Sequence, residues 1–124
     1  MTHKTRLVIR IDSRIGKIGR KQIAFLEAIQ SQGSISGAGR FIGMSYRATR
    51  LLLEDINQVL CEPAVSTMSG GHKGGGAALT PVGTQLVQLY RAIEVRAQSV
   101  TVPERRALFR LARARQISTG KRVL

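Results

Sequence analysis

The stretch Ser-Ile-Ser-Gly-Ala-Gly-Arg-Phe-Ile-Gly-Met-Ser-Tyr-Arg-Ala-Thr-Arg, residues 34–50, decides how the rest of the chain is read. Ser34 or Ser36 caps a short helix holding Ile35, Ala38, Phe41 and Ile42, because a serine hydroxyl accepts from the N–H groups a first turn leaves unpaired. Gly43 stops that helix, since glycine takes the left-handed conformation at no steric cost. Ser45 offers a new cap after only Met44. Ala48, Leu52, Leu53, Ile56 and Leu60 then recur at helical spacing, so a long helix follows. Ala38 and Gly39 are small enough for the two helices to approach closely. Two helices joined by a tight glycine turn make a helix-turn-helix, and Pro63 closes the segment.

Upstream, Leu7, Ile9 and Ile11 alternate with Arg6, Val8 and Arg10, which predicts a half-buried strand over residues 5–11. Gly16 and Gly19 bracket a loop. The spacing of Ile23, Leu26 and Ile29 predicts a helix from Lys21 to Gln32, with Gly33 as its stop. Downstream, Ala64 to Met68 reads as a short strand and Ala77 to Leu79 as its return. Between them, Ser69 to Gly76 carries five glycines in eight residues, the tip of a wing-like hairpin. Thr80-Pro81 starts a further helix whose stripe is Val82, Leu86, Leu89, Tyr90, Ile93 and Ala97. Val100 to Pro103 interrupts it, and a basic helix from Glu104 through Arg115 precedes a frayed end.

The expected fold is mainly α with a small β-hairpin: a winged helix-turn-helix with a long C-terminal dimerisation helix. The expected divisions are an N-terminal strand and loop (1–18), the winged helix-turn-helix (19–80), a linker or dimerisation helix (81–102) and a basic tail (103–124).

At 124 residues with 43% hydrophobic content, the chain fits one small domain with a real core. Its single Cys excludes an internal disulfide framework and any multi-Cys zinc site. Apolar runs such as Ile23 to Leu26 are far too short to span a bilayer, and no apolar leader opens the chain, so the expected compartment is the cytoplasm.

The formal net charge of +13 is the first functional clue. A chain so basic favours a polyanion, and nucleic acid suits it better than a membrane surface. Arg47 and Arg50, three residues apart near the start of the second helix, share a face. Arg can bond guanine O6 and N7 in bidentate fashion, so these two are the candidate base readers. Ser45, Tyr46 and Thr49 are candidates for phosphate or a thymine methyl, and Ser34, Ser36 and Arg40 for the backbone. At the hairpin tip, Gly70, Gly71, His72, Lys73, Gly74 and Gly75 would bring amides and two polar side chains to phosphate or the minor groove; the bland alternative is a solvent loop. A phosphate-binding P-loop is excluded because Lys73 is followed by Gly74 rather than Ser or Thr. His72 has no nearby second ligand, so no metal, cofactor or catalysis is expected. The stripe Val82, Leu86, Leu89, Tyr90, Ile93 and Ala97 is long enough to be covered by a second copy of itself. Arg105, Arg106, Arg110, Arg113, Arg115, Lys121 and Arg122 would add nonspecific phosphate contacts or remain solvated. Cys61 is expected as a small buried hydrophobe.

The runs Leu26-Glu27-Ala28-Ile29, Gly33-Ser34-Ile35-Ser36 and Gly43-Met44-Ser45-Tyr46-Arg47 resemble the DNA-binding domain of ModE-type, molybdate-responsive transcription regulators. Gly70 to Thr80 looks like that family's glycine wing, and the resemblance spans roughly residues 19–97. More distantly, the layout is similar to that of LysR-type regulators. The resemblance implies a winged helix that dimerises through flanking helices on an inverted-repeat operator. Where the family usually has Ala-Trp, this chain has Thr49-Arg50, so the family's base preference does not carry over and a charge stands where an aromatic would be. Residues 98–124 are too few for the family's C-terminal oxyanion-binding domains, so the resemblance implies DNA binding without molybdate sensing. The expectation is a sequence-specific regulator binding double-stranded DNA as a homodimer, with no small-molecule effector evident in this chain. The alternative is a nonspecific architectural nucleoid or RNA-binding basic protein. With only three Phe and two Tyr, stacking on single strands is disfavoured.

Overall fold

The computed structural model describes residues 5–68 and 75–112. Elements run in the order β1 (Arg10–Asp12), β2 (Lys17–Gly19), α1 (Arg20–Gln32), α2 (Ile35–Phe41), α3 (Tyr46–Val59), β3 (Val65–Met68), β4 (Gly76–Leu79), α4 (Pro81–Val100) and α5 (Val102–Phe109). The four strands form two separate antiparallel hairpins. This is a mainly helical winged helix-turn-helix.

Sequence chemistry accounts for the joints. Gly33, at φ 75°, ends α1 in the left-handed region and returns its N–H to the Ile29 carbonyl. Ser34 then caps α2 by accepting from the Gly37 N–H at 2.9 Å. Gly43, at φ 78°, turns the chain, and Ser45 caps α3 by accepting from the Ala48 N–H at 3.1 Å. The wing is paired Val65 to Leu79 through Met68 to Gly76. Its return strand is tied to the helical body where the Ala77 N–H donates to the Gly33 carbonyl at 2.8 Å. Thr80 caps α4 as expected, accepting from Gly83, and its own hydroxyl donates to the Pro63 carbonyl at 2.7 Å. The start of α4 therefore fixes the base of the wing.

One core joins these elements. Ile23, Phe25, Leu26 and Ile29 of α1 meet Ile35 and Ala38 of α2, Leu52, Leu53 and Ile56 of α3, Val65 and Ala77 of the wing, and Val87 and Tyr90 of α4. The expected α1 face Ile23, Leu26 and Ile29 is buried completely.

The fold departs from the expectations at several places. Residues 5–11 do not form one strand. Only Arg10–Asp12 is β, paired with Lys17–Gly19 where a loop was expected. The segment before it runs along α4 instead: the Leu7 N–H donates to Gln98 Oε1 at 2.9 Å, and the Tyr90 hydroxyl donates to the Ile9 carbonyl at 2.6 Å. Leu7 and Ile9 still face inward and Arg6 and Val8 outward, because extended backbone alternates its side chains whatever it is bonded to. Ile11, on the expected inner face, is exposed. Cys61 is also exposed, in the turn after α3 rather than in the core. The final helix starts at Val102, with Pro103 in its first turn, and ends at Phe109 rather than Arg115. Leu108 and Leu111 are exposed; Arg113, Arg115, Lys121 and Arg122 lie outside the described residues.

Candidate nucleic-acid interface

The helix-turn-helix is held together at one close contact. A β-carbon on Gly39 would lie 2.3 Å from Thr49 Oγ1 and 3.2 Å from Thr49 Cβ, so α2 and α3 meet there at the limit of van der Waals approach. Thr49 is fully buried, and its hydroxyl donates to the Ser45 carbonyl at 2.7 Å. This corrects the expectation that Thr49 reaches DNA: it is the packing partner that glycine 39 makes room for. Burying Thr49 turns Tyr46, Arg47 and Arg50 to solvent.

A groove of about 400 Å³ opens between α2, the start of α3 and the wing. It gathers Ser34, Ser36, Arg40, Tyr46, Arg50 and Gly75, residues up to 41 apart in sequence. The groove also takes Thr67 and Met68 from β3, which sequence reasoning passed over; Met68 is 65% exposed. Arg47 is exposed and stands outside the groove, on the outer face of α3. Ser45 is exposed as the cap of that helix. Gly70, Gly71, His72, Lys73 and Gly74 lie outside the described residues.

Among the described residues the ion pairs are Arg10–Asp12, Arg91–Glu27 and Arg91–Glu94; Arg40, Arg47 and Arg50 have none. The Arg50 guanidinium carbon lies 6.0 Å from the centre of the Tyr46 ring, the outer reach of a cation–π contact, which restrains the arginine without neutralising it. The positive end of the α3 dipole lies beside the same residues. Such a surface suits phosphate and the acceptor-rich edge of guanine.

The long helix α4 divides the expected stripe. Leu89 and Ile93 are exposed and Val82, Leu86 and Ala97 half-buried. Tyr90 is 2% exposed and bonded to the Ile9 carbonyl, so it belongs to the domain's own core and not to an interface, a correction of the expected set. Burial, followed by the Glu94 carboxylate, pushes the Tyr90 phenol above its ordinary range. Next to it, Arg91 donates to both oxygens of Glu27 at 2.6 and 2.9 Å and to Glu94 at 2.6 Å. The bonds from Arg91 hold the Glu27 carboxyl below the usual glutamate range, against the opposing effect of partial burial. Among the described residues no helix is long and apolar enough to cross a membrane.

No protein-family model matches the chain. Curated proteins do. It is 37% identical over 98 residues to the molybdenum transport protein ModE of Azotobacter vinelandii, an alignment covering 77% of this chain and 36% of that protein. The chain is a homologue of the N-terminal region of ModE regulators. The molybdenum-pterin-binding protein MopB of Rhodobacter capsulatus is 44% identical over 78 residues, 63% of this chain and 29% of MopB. The DNA-binding transcriptional dual regulator ModE of Escherichia coli K12 is 37% identical over 70 residues, 56% of this chain and 27% of that regulator. The chain thus spans about a third of the length of the curated relatives it matches. None of these three names is that of an enzyme.

Proposed function

We propose that this ModE homologue is a sequence-specific regulator that binds double-stranded DNA, in the cytoplasm, as a homodimer on an inverted-repeat operator. The observation that carries the reading is the groove: side chains from α2, α3 and the wing converge there, with Arg40 and Arg50 free of carboxylate partners among the described residues. Its action is binding rather than catalysis. Arg47 and Arg50 read base edges in the major groove, while Ser36, Arg40 and the wing hold phosphates. Lys73 and His72 at the wing tip are proposed phosphate or minor-groove contacts. Leu89 and Ile93, flanked by Val82, Leu86 and Ala97, supply the dimer contact. Two copies would set two recognition helices on half-sites about 10 base pairs apart or a multiple of that.

The test is selection of bound duplexes from a random pool by the full chain. The reading predicts enrichment of a two-fold symmetric sequence. A pool that stays random, or an equal preference for RNA, would make the chain a nonspecific basic architectural protein and overturn it.

A further inference from the structure

Leu51 sits where no core demand explains it. It is 51% exposed and takes no part in the core cluster. At 100° per residue it lies about 40° around the α3 axis from Arg47, and about 6 Å further along it. On that face charge changes sign along the helix. Arg47 and Arg50 come first; Glu54 and Asp55, both exposed and without an ion pair among the described residues, come next. Carboxylates repel phosphates, so the part of α3 that can sink between two DNA strands ends before Glu54. Leu51 is the last exposed residue inside that limit, and it stands one turn beyond Arg47.

Within a major groove, an aliphatic side chain has one complementary feature, the C5-methyl of thymine. We infer that Leu51 is a specificity-determining residue that packs on a thymine methyl next to the base pair read by Arg47. The inference rests on the DNA-reading proposal above. It adds a discrimination that arginine cannot supply, thymine against an unmethylated pyrimidine.

The experiment uses the full chain and the duplex it selects, with each thymine replaced singly by 2′-deoxyuridine, in competition binding at fixed salt. Removing one buried methyl should weaken wild-type binding about fourfold at one position of each half-site. Leu51→Ala should bind the thymine duplex several-fold more weakly and lose its sensitivity to deoxyuridine at that position. Leu51→Met, which keeps an apolar tip, should retain it, and Arg47→Ala should remain sensitive. Because Leu51 is half exposed, the variant's melting curve serves as the folding control. Wild-type indifference to every replacement, or undiminished sensitivity in Leu51→Ala, would overturn the assignment to Leu51 while leaving the arginine reading intact. Absence of any preferred duplex would instead overturn the DNA-reading proposal, and this inference with it.

Discussion

Replacing Gly39 with Ala tests the geometry on which the recognition surface depends. The new methyl would meet Thr49 Oγ1 at 2.3 Å and Thr49 Cβ and Cγ2 at 3.2 Å. Rotating Thr49 away breaks its 2.7 Å bond to the Ser45 carbonyl and swings the other branch into the same space. Overpacking of this kind costs about 3 kcal/mol at the upper end of its usual span. The better helix propensity of Ala returns about 1 kcal/mol, leaving a net loss of about 2 kcal/mol. For a domain of this size that lowers Tm by about 8 °C. Thr49→Ala alone forfeits a hydroxyl bond and a little packing, about 1 kcal/mol. The double variant should recover about 1–2 kcal/mol relative to the sum of the single losses, because Oγ1 and Cγ2 are gone and only the Cβ contact at 3.2 Å remains. Urea denaturation of the four proteins measures this directly. A Gly39→Ala loss below about 0.5 kcal/mol, or strictly additive effects, would refute the close α2–α3 contact.

Tyr90→Phe removes the bond to the Ile9 carbonyl and should destabilise the chain by about 1–2 kcal/mol in urea, with faster amide exchange in the segment before β1. Glu27→Gln breaks the bidentate pair with Arg91; both partners are more than a third exposed, so the loss at neutral pH should be about 0.5–1 kcal/mol. Since the folded carboxyl titrates below its unfolded value, its contribution is fully present above the ordinary glutamate range and disappears as pH falls through the lowered value. Glu27→Gln should therefore flatten the stability profile across that acidic window, and an unchanged profile would count against the pair. Ile93→Glu places a charge on the exposed face of α4 beside Leu89 and should convert the proposed dimer to a folded monomer in sedimentation at micromolar concentration, with helical content retained and a lower, concentration-independent Tm; a parent that is already monomeric on and off DNA would end the dimer proposal.

Local chemistry made the helix-turn-helix legible. Ser34, Gly43 and Ser45 each perform a backbone task that few other residues perform, so their positions marked helix ends directly. The wing was equally plain from its glycines and from Thr80-Pro81. What local reasoning missed depends on contacts distant in sequence. Thr49 looks like any polar residue on an exposed helix turn until Gly39 is seen against it. Tyr90 fits an apolar stripe at helical spacing, but its hydroxyl is spoken for by Ile9, 81 residues away. Residues 5–9 carry a strand's alternation, yet their hydrogen-bond partners are side chains of α4 and α5 rather than a neighbouring strand. Groove residues Thr67 and Met68 likewise become visible only once the wing is folded beside α3.

The central claim is that the exposed start of α3 reads bases. Its most direct test is the ratio of affinities for the selected duplex and a scrambled one, at a single salt concentration, for the parent chain and for Arg47→Ala. The account predicts a loss of about 1–3 kcal/mol on the selected duplex, little change on the scrambled one, and so a ratio that falls about 5–150-fold. Equal losses on both duplexes would show Arg47 to be a phosphate contact and would contradict the claim.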